Sequence, residues 1–350
     1  MKNRLSALLF IVLAGFAAPS QAYDKDYFGE TKTYRAAFED TLIHLARDND
    51  LGFVELRAAN PKLDAWIPGK GAKIILPQKH LLPEAPRKGI VINLAEMRIY
   101  YFKDKGAPPV TFPISVGREG LETPTGSTTI TRKKEGPTWR PTERMRKEDP
   151  ELPVSVPPGP ENPLGTHALY LGWPQYLIHG TNKPYGIGRR VSSGCMRMYP
   201  EDVREFYSMV PIGTLVTVVD QPVKVGWVGD DLYVEVSPTQ EQSLKIEEQG
   251  QLDSYEITKE DIRRINEKAG GRKEDINWEK VRAAVRDHKG YPIKILGGGK
   301  AVVTDESAQE EKSMPKKQEV KASKEEEQVS NASTEEVVIP PTARSITYNN

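Results

Sequence analysis

Between Gly89 and Val219 the chain is a succession of short β-rich runs separated by turns, and this restricts the available folds more than any other feature. Gly89–Leu94 and Met97–Phe102 are rich in β-branched and aromatic residues. Only Ala95-Glu96 separates them, which predicts a hairpin. Val110–Val116, the alternating Gly126–Thr131, Ala168–Leu171, Tyr176–Ile178 and Leu215–Val219 continue the series. One helix is predicted among them, over Pro200–Met209, because Pro200, Glu201 and Asp202 supply the proline and acids that a first helical turn favours. Short strands at this spacing predict a mainly β fold, a sandwich or a barrel.

The chain has 1 cysteine, Cys195, so no disulfide can form within it. The residue lies between Gly194 and Met196-Arg197, outside any apolar strand, and follows His179 by a short loop. A thiol becomes a useful nucleophile when a base takes its proton and a third group orients that base. Cys195 is the candidate nucleophile and His179 the candidate base. Gly194 permits a tight turn that aims backbone N–H groups, its own and that of Cys195, at an oxyanion. A lone cysteine is otherwise a small buried hydrophobe, and a lone histidine a satisfied polar group. Chemistry alone leaves the two readings balanced.

His179-Gly180-Thr181 followed by Ser192-Ser193-Gly194-Cys195-Met196-Arg197-Met198 resembles the signature of the L,D-transpeptidases with a YkuD-type catalytic domain. Thr123-Pro124-Thr125-Gly126 and Pro137-Thr138-Trp139 resemble further parts of that pattern, and the likeness covers residues 88–220. It departs at Ser193, where many relatives carry a second histidine, so the motif holds one imidazole. The resemblance implies that Cys195 attacks the carbonyl preceding the terminal D-alanine of a peptidoglycan tetrapeptide stem. His179 serves as acid and base, the Gly180 carbonyl orients its other nitrogen, and Ser192 and Ser193 support the loop. Arg197 either grips a stem carboxylate or braces the loop. The proline- and charge-rich stretch 133–166 is expected to be a lid or cleft wall carrying Trp139, the alternative being a solvated insertion in which Trp139 is ordinary packing. The five histidines, His44, His80, His167, His179 and His288, show no ligand spacing, so neither metal nor cofactor is expected.

Upstream, Leu42, Leu45 and Ala46 make one helical face, and Phe53, Val54 and Leu56 begin a second helix that ends at Asn60-Pro61. Lys73–Leu76 then reads as a strand before Pro77. This β-α-α-β unit, residues 34–82, is similar to a LysM module, which implies binding to the glycan of peptidoglycan. The alternative is a packing unit without sugar. Leu82-Pro83-Glu84-Ala85-Pro86 is a stiff linker. At the start, Lys2 and Arg4 precede an apolar run and Ser20-Gln21-Ala22, which predicts a signal peptide over residues 1–22, a mature start at Tyr23 and a periplasmic protein with no membrane span after cleavage.

Downstream, residues 221–297 predict a small α+β subdomain. It comprises a strand pair around Gly229-Asp230-Asp231, a helix capped by Thr258 and Asp261 and stopped at Gly270-Gly271, a helix through Trp278, Val281 and Val285, and a last strand at Tyr291–Leu296. The strand pair also resembles the transpeptidase subgroup that joins an outer-membrane lipoprotein to peptidoglycan, which implies a lysine amine as acceptor. Direct crosslinking between the third residues of two stems is the alternative within the enzyme class, and a non-catalytic wall-binding scaffold the alternative outside it. Residues 298–350 are dominated by Ser, Glu, Lys and Gln and predict a disordered tail. Acidic and basic side chains balance at 49 each, so no global field favours nucleic acid, and Arg132-Lys133-Lys134 reads as solvated surface.

Overall fold

A computed structural model describes residues 23–104, 106–249 and 256–297. The signal peptide and the tail expected from the sequence lie outside these residues. The N-terminal part contains β1 (Tyr27–Phe28), β2 (Lys32–Arg35), α1 (Leu42–Asp48), α2 (Phe53–Ala59), β3 (Lys73–Leu76) and β4 (His80–Leu81). Thr41 caps α1 by accepting the His44 N–H (3.2 Å). β2 and β3 pair antiparallel, so the order β2-α1-α2-β3 closes as a βααβ unit.

The central part follows as β5 (Gly89–Asn93), β6 (Arg98–Phe102), β7 (Val110–Pro113), β8 (Val116–Gly117), β9 (Gly126–Glu135), α3 (Glu143–Glu148), β10 (His167–Leu171), β11 (Leu177–His179), β12 (Arg190–Ser192), β13 (Met196–Arg197), α4 (Pro200–Met209) and β14 (Leu215–Val219). Eight of these strands form one sheet in the order β13-β11-β10-β9-β14-β5-β6-β7. Ser115, just beyond edge strand β7, bridges to Arg197 of the opposite edge strand β13. The sheet therefore curls until its ends meet, which gives a mostly β body with its edges paired rather than left open. β8 pairs with β12 beside this closure.

The alternation of the strands fills the curl. Ile90, Ile92, Ile99, Ile130, Leu169, Ile178, Met196 and Val216 point inward and are buried, and α4 adds Val203 and Phe206. The same core takes in Leu42, Ala46, Phe53, Leu56 and Ile74 of the βααβ unit, so that unit and the sheet share one continuous apolar interior. At about 25 cal/mol per Å² of buried apolar surface, a joint of this kind is held mainly by desolvation.

Two local features were not anticipated. β9 continues through Arg132-Lys133-Lys134 to Glu135, so this basic run is a strand segment, with Arg132 and Lys134 exposed as expected. Lys133 bonds the carbonyls at the end of α4, Tyr207 O and Val210 O (2.8 Å to the latter), and Arg132 stacks on the Tyr170 ring at 3.5 Å. The charges hid the strand because their aliphatic stems, rather than apolar residues, cover its faces. The insert after β9 is also ordered: Trp139 and Val156 exchange backbone hydrogen bonds (2.9 Å each) around α3, and the buried Asn162 amide donates to the Pro137, Val156 and Pro157 carbonyls.

The C-terminal part comprises β15 (Val223–Val228), β16 (Asp231–Val236), α5 (Gln240–Gln249), α6 (Lys259–Ala269), α7 (Trp278–Asp287) and β17 (Ile293–Leu296). β15, β16 and β17 form an antiparallel sheet covered by α6 and α7 around a second core that includes Leu232, Val234, Ile265 and Val281. Thr258 and Asp261 make the reciprocal cap of α6, and Gly270 ends it at φ 58°. α5 was not legible in the sequence. It leaves this subdomain to pack near α2 and β12, where Ile246 is buried in the main core and Glu247 pairs with Arg189 at 2.7 Å.

Candidate active site

β11 and β13 run parallel in register, with Ile178 opposite Met196 and His179 opposite Arg197. Side chains alternate along each strand. Ile178 and Met196 go to the core, which places His179 and Arg197 together on the opposite face. One residue before the ladder, Cys195 lies on that same face, and the Leu177 amide donates to its sulfur. The register thus brings His179, Cys195 and Arg197 into adjacent rows on one face. The Sγ–H of Cys195 also reaches Gln175 O at 3.4 Å, in a turn where Gln175 adopts φ 69°.

The turn before Cys195 is built by side chains. Ser192 Oγ accepts the Gly194 N–H (3.1 Å) and donates to Cys195 O (2.6 Å), closing the turn from within. Thr123 Oγ1 donates to Gly194 O (2.7 Å) and accepts the Gly117 N–H (3.1 Å), closing it from the β8 side. Gly194 sits at φ 105°, and a β-carbon there would lie 3.0 Å from the Tyr176 ring. Only glycine satisfies both conditions. The Gly194 N–H is therefore already engaged and does not face a substrate.

His179 is buried. Its Nδ1 donates to Gly180 O at 2.6 Å, which leaves Nε2 as the acceptor nitrogen. Burial, reinforced by the Arg197 charge, pushes its pKa down to about 3, against the Gly180 and Leu164 carbonyls that favour the protonated ring. Burial pushes the Cys195 thiol up, against the Leu177 amide and Arg197 that favour the thiolate. Both shifts favour the neutral forms of the two groups. Arg197 is itself half-buried and feels a second guanidinium, Arg118. Arg118 is held by its backbone on Ser192 O (3.0 Å), while its side chain pairs loosely with Glu148 of α3 at 3.9 Å.

The residues expected from the sequence are distributed unequally. Cys195, His179, Gly180, Ser192, Gly194 and Arg197 converge, and Ser193 sits within the same turn. Trp139 is half-buried on the insert, where Val156 is its backbone partner. The structure adds Thr123 and Arg118. Thr123 stood in a quoted motif, but its partner is 71 residues away, and no local pattern names it.

Among the described residues, one set of metal-ligand types comes together: His80, Glu96 and Glu235, with donor atoms within 4.8 Å. It lies apart from Cys195. Lys224 Nζ stands among them, 2.6 Å from Glu96 and 2.9 Å from Glu235. An ammonium already neutralises these carboxylates, so the arrangement is a buried ion network rather than a cation cage.

Residues 87–219 match the YkuD family, the L,D-transpeptidase catalytic domain. The probable L,D-transpeptidase ErfK/SrfK of Escherichia coli (strain K12) is 38% identical over 255 residues, covering 71% of this chain and 80% of that protein. The probable L,D-transpeptidase YbiS of the same strain is 37% identical over 260 residues, 73% of this chain and 83% of that protein. The putative L,D-transpeptidase YkuD of Bacillus subtilis (strain 168) is 31% identical over 188 residues, 53% of this chain and 98% of that protein.

Proposed function

The chain belongs to the L,D-transpeptidases with a YkuD-type catalytic domain, acting on peptidoglycan, and we propose that it does so through a Cys195 thioacyl-enzyme that passes the stem peptide to the lysine amine of an outer-membrane lipoprotein. The observation that carries the mechanism is the β11–β13 register, which sets Cys195, His179 and Arg197 on one face.

His179 Nε2 takes the Sγ proton as the sulfur attacks the carbonyl carbon of the third stem residue. The carbonyl π-electrons move onto oxygen. With the Gly194 N–H held by Ser192, the amides of Ser193 and Cys195 are the donors assigned to that oxyanion. As the intermediate collapses, the imidazolium gives its proton to the D-alanine nitrogen, the C–N bond breaks, and a thioester remains. An incoming amine then attacks the thioester, His179 takes one amine proton, and Cys195 leaves as a thiol when that proton returns to sulfur. Arg197 presents a guanidinium beside the nucleophile and binds the stem's terminal carboxylate.

The βααβ unit is assigned as a LysM-like glycan-binding module. Phe38, Trp66 and Ile67 are 83%, 61% and 76% exposed on the loops flanking its helices. Those loops are held side by side by Leu42 N–H to Ala65 O (2.8 Å) and Ala36 N–H to Ala72 O (3.0 Å). Exposed aromatic and aliphatic side chains on adjoining loops fit the apolar faces of a sugar chain. The work takes place in the periplasm, and no helix among the described residues is long and apolar enough to cross a membrane.

The mechanism is tested by intact mass after mixing the protein with a tetrapeptide muropeptide. A covalent stem adduct on wild type with release of D-alanine supports it. Full turnover by Cys195→Ala would refute it. Sedimentation with sacculi tests the glycan assignment, which predicts weaker binding for Trp66→Ala and Phe38→Ala.

A further inference from the structure

The loop that joins base to nucleophile is held from outside the catalytic sheet. Between His179 and Cys195 the chain passes a 3-10 turn at Pro184–Gly186 and then Ile187 and Gly188. Ile187 O accepts the Phe53 N–H (3.3 Å) and Gly188 O accepts the Val54 N–H (3.2 Å). These are the first amides of α2, which have no acceptor within their own helix. On its other side the loop is gripped by Gly188 N–H to Ile114 O (3.2 Å) and by the Ser115 hydroxyl to Gly186 O (2.6 Å).

The contact admits no side chain. A β-carbon on Gly188 would lie 2.3 Å from Gly52 Cα and from Phe53 N, and one on Gly52 would lie 2.9 Å from Gly188 Cα. Both glycines are buried. Neighbouring bonds reinforce the seat: the Tyr199 hydroxyl donates to Leu51 O (3.2 Å), and the Arg189 guanidinium stacks on the Phe53 ring at 4.3 Å. Arg189 leads directly into β12 and so to Ser192, whose hydroxyl shapes the Cys195 turn.

We propose that the N-terminal βααβ unit is a positioning part of the catalytic site: the Gly52–Gly188 seat sets the loop that presents the Ser192–Cys195 turn to His179. Gly52 and Gly188 touch neither substrate nor thiol and act through that loop. The proposal rests on Cys195 and His179 as the reacting pair. It gives the unit a task separate from holding glycan, because the seat is needed even for a donor that carries no sugar.

The test uses the full-length protein and a soluble tetrapeptide without glycan. Gly52 has φ −80°, so Gly52→Ala fits its backbone and disturbs only the seat. Gly71→Ala is the comparison: at φ 80° with open space around it, alanine strains the same unit without touching the loop. Turnover is measured together with the pH profile of Cys195 alkylation by iodoacetamide and the melting temperature. Gly52→Ala is expected to lower kcat about ten- to hundredfold, as small misplacements of reacting groups do, with KM within about twofold. Its alkylation profile shifts as well, while Gly71→Ala melts earlier yet keeps the wild-type kcat and profile. A folded Gly52→Ala with wild-type kcat and profile overturns the proposal, and so does an equal loss of kcat in Gly71→Ala. Should Gly52→Ala not fold, Tyr199→Phe removes only the bond to Leu51 O. A shifted alkylation profile in that variant supports the seat, and an unchanged one overturns it. If wild type does not turn over the peptide, the substrate assignment is at fault, and the alkylation profiles alone decide the positioning role.

Discussion

Ser115 and Arg197 exchange both backbone hydrogen bonds, Ser115 N–H to Arg197 O at 2.9 Å and Arg197 N–H to Ser115 O at 3.0 Å. One contact closes the curled sheet and fixes β13, the strand that follows Cys195. The Ser115 hydroxyl holds Gly186 in the loop from His179. Closure of the fold and alignment of the site are one structural event.

The neutral resting pair has a pH signature. The Cys195 pKa is raised by burial and that of His179 is lowered to about 3. Alkylation by iodoacetamide, which needs thiolate, should therefore rise steadily as pH increases, with its midpoint above the ordinary cysteine range and no step near pH 6. A plateau of high reactivity between pH 5 and 7 would instead mark a preformed thiolate–imidazolium pair.

Thr123→Val keeps the shape of the side chain but strands two backbone groups, Gly194 O and Gly117 N–H. The expected cost is about 1–3 kcal/mol, the penalty for unsatisfied buried groups, read as a lower denaturation midpoint. Turnover should fall further than stability predicts, since the Cys195 turn loses its outer brace. Ser192→Ala should behave alike. Wild-type kcat in both variants would remove the turn from the mechanism.

Asp202 is buried in the first turn of α4, and burial, with Asp50 and its neighbours Glu201 and Glu205, raises its pKa to about 7. The folded state holds this proton more tightly than the unfolded chain. Stability from this group is complete below pH ~4 and is lost as pH rises through about 7. Asp202→Asn should therefore melt higher than wild type at pH 8, by a few kcal/mol at most, and the gain should vanish at pH 4. A gain of equal size at both pH values would contradict the assignment.

Lys224 neutralises Glu96 and Glu235 where the three parts of the chain meet, and its ammonium also donates to Leu81 O at 2.7 Å. Lys224→Met should cost about 3–5 kcal/mol, because it leaves buried carboxylates without a counter-charge. Adding Glu235→Gln should restore part of that loss. Chemical denaturation of the single and double variants measures both effects.

Much of this was legible locally. The α4 bounds follow from Pro200-Glu201-Asp202, and the α6 cap from Thr258 and Asp261. The hairpin at Ala95-Glu96 is formed by β5 and β6. What failed was long-range. α5 offers little more than Leu244 and Ile246 as apolar residues, and its place is set by packing on α2 and β12. The end of β9 was masked by charges whose partners are distant in the chain, at the end of α4 for Lys133 and on Tyr170 of β10 for Arg132. For the site, Cys195 and His179 were named as candidates by residue type, which alone left two readings balanced, and the likeness of the surrounding motif to a family signature tipped the choice. The Thr123 brace and the Gly52–Gly188 seat were not legible, because a threonine or a glycine acquires its meaning from a partner distant in the chain.

The most direct test mixes purified protein, tetrapeptide muropeptide and a peptide ending in lysine, with Cys195→Ala in parallel, and reads the products by mass spectrometry. Loss of D-alanine with a muropeptide–lysine adduct, absent in the variant, is the predicted result. Muropeptide dimers in place of that adduct would keep the thioacyl mechanism and replace the lipoprotein acceptor with a second stem. Absence of turnover while binding to sacculi persists, or turnover that survives Cys195→Ala, would contradict catalysis by Cys195.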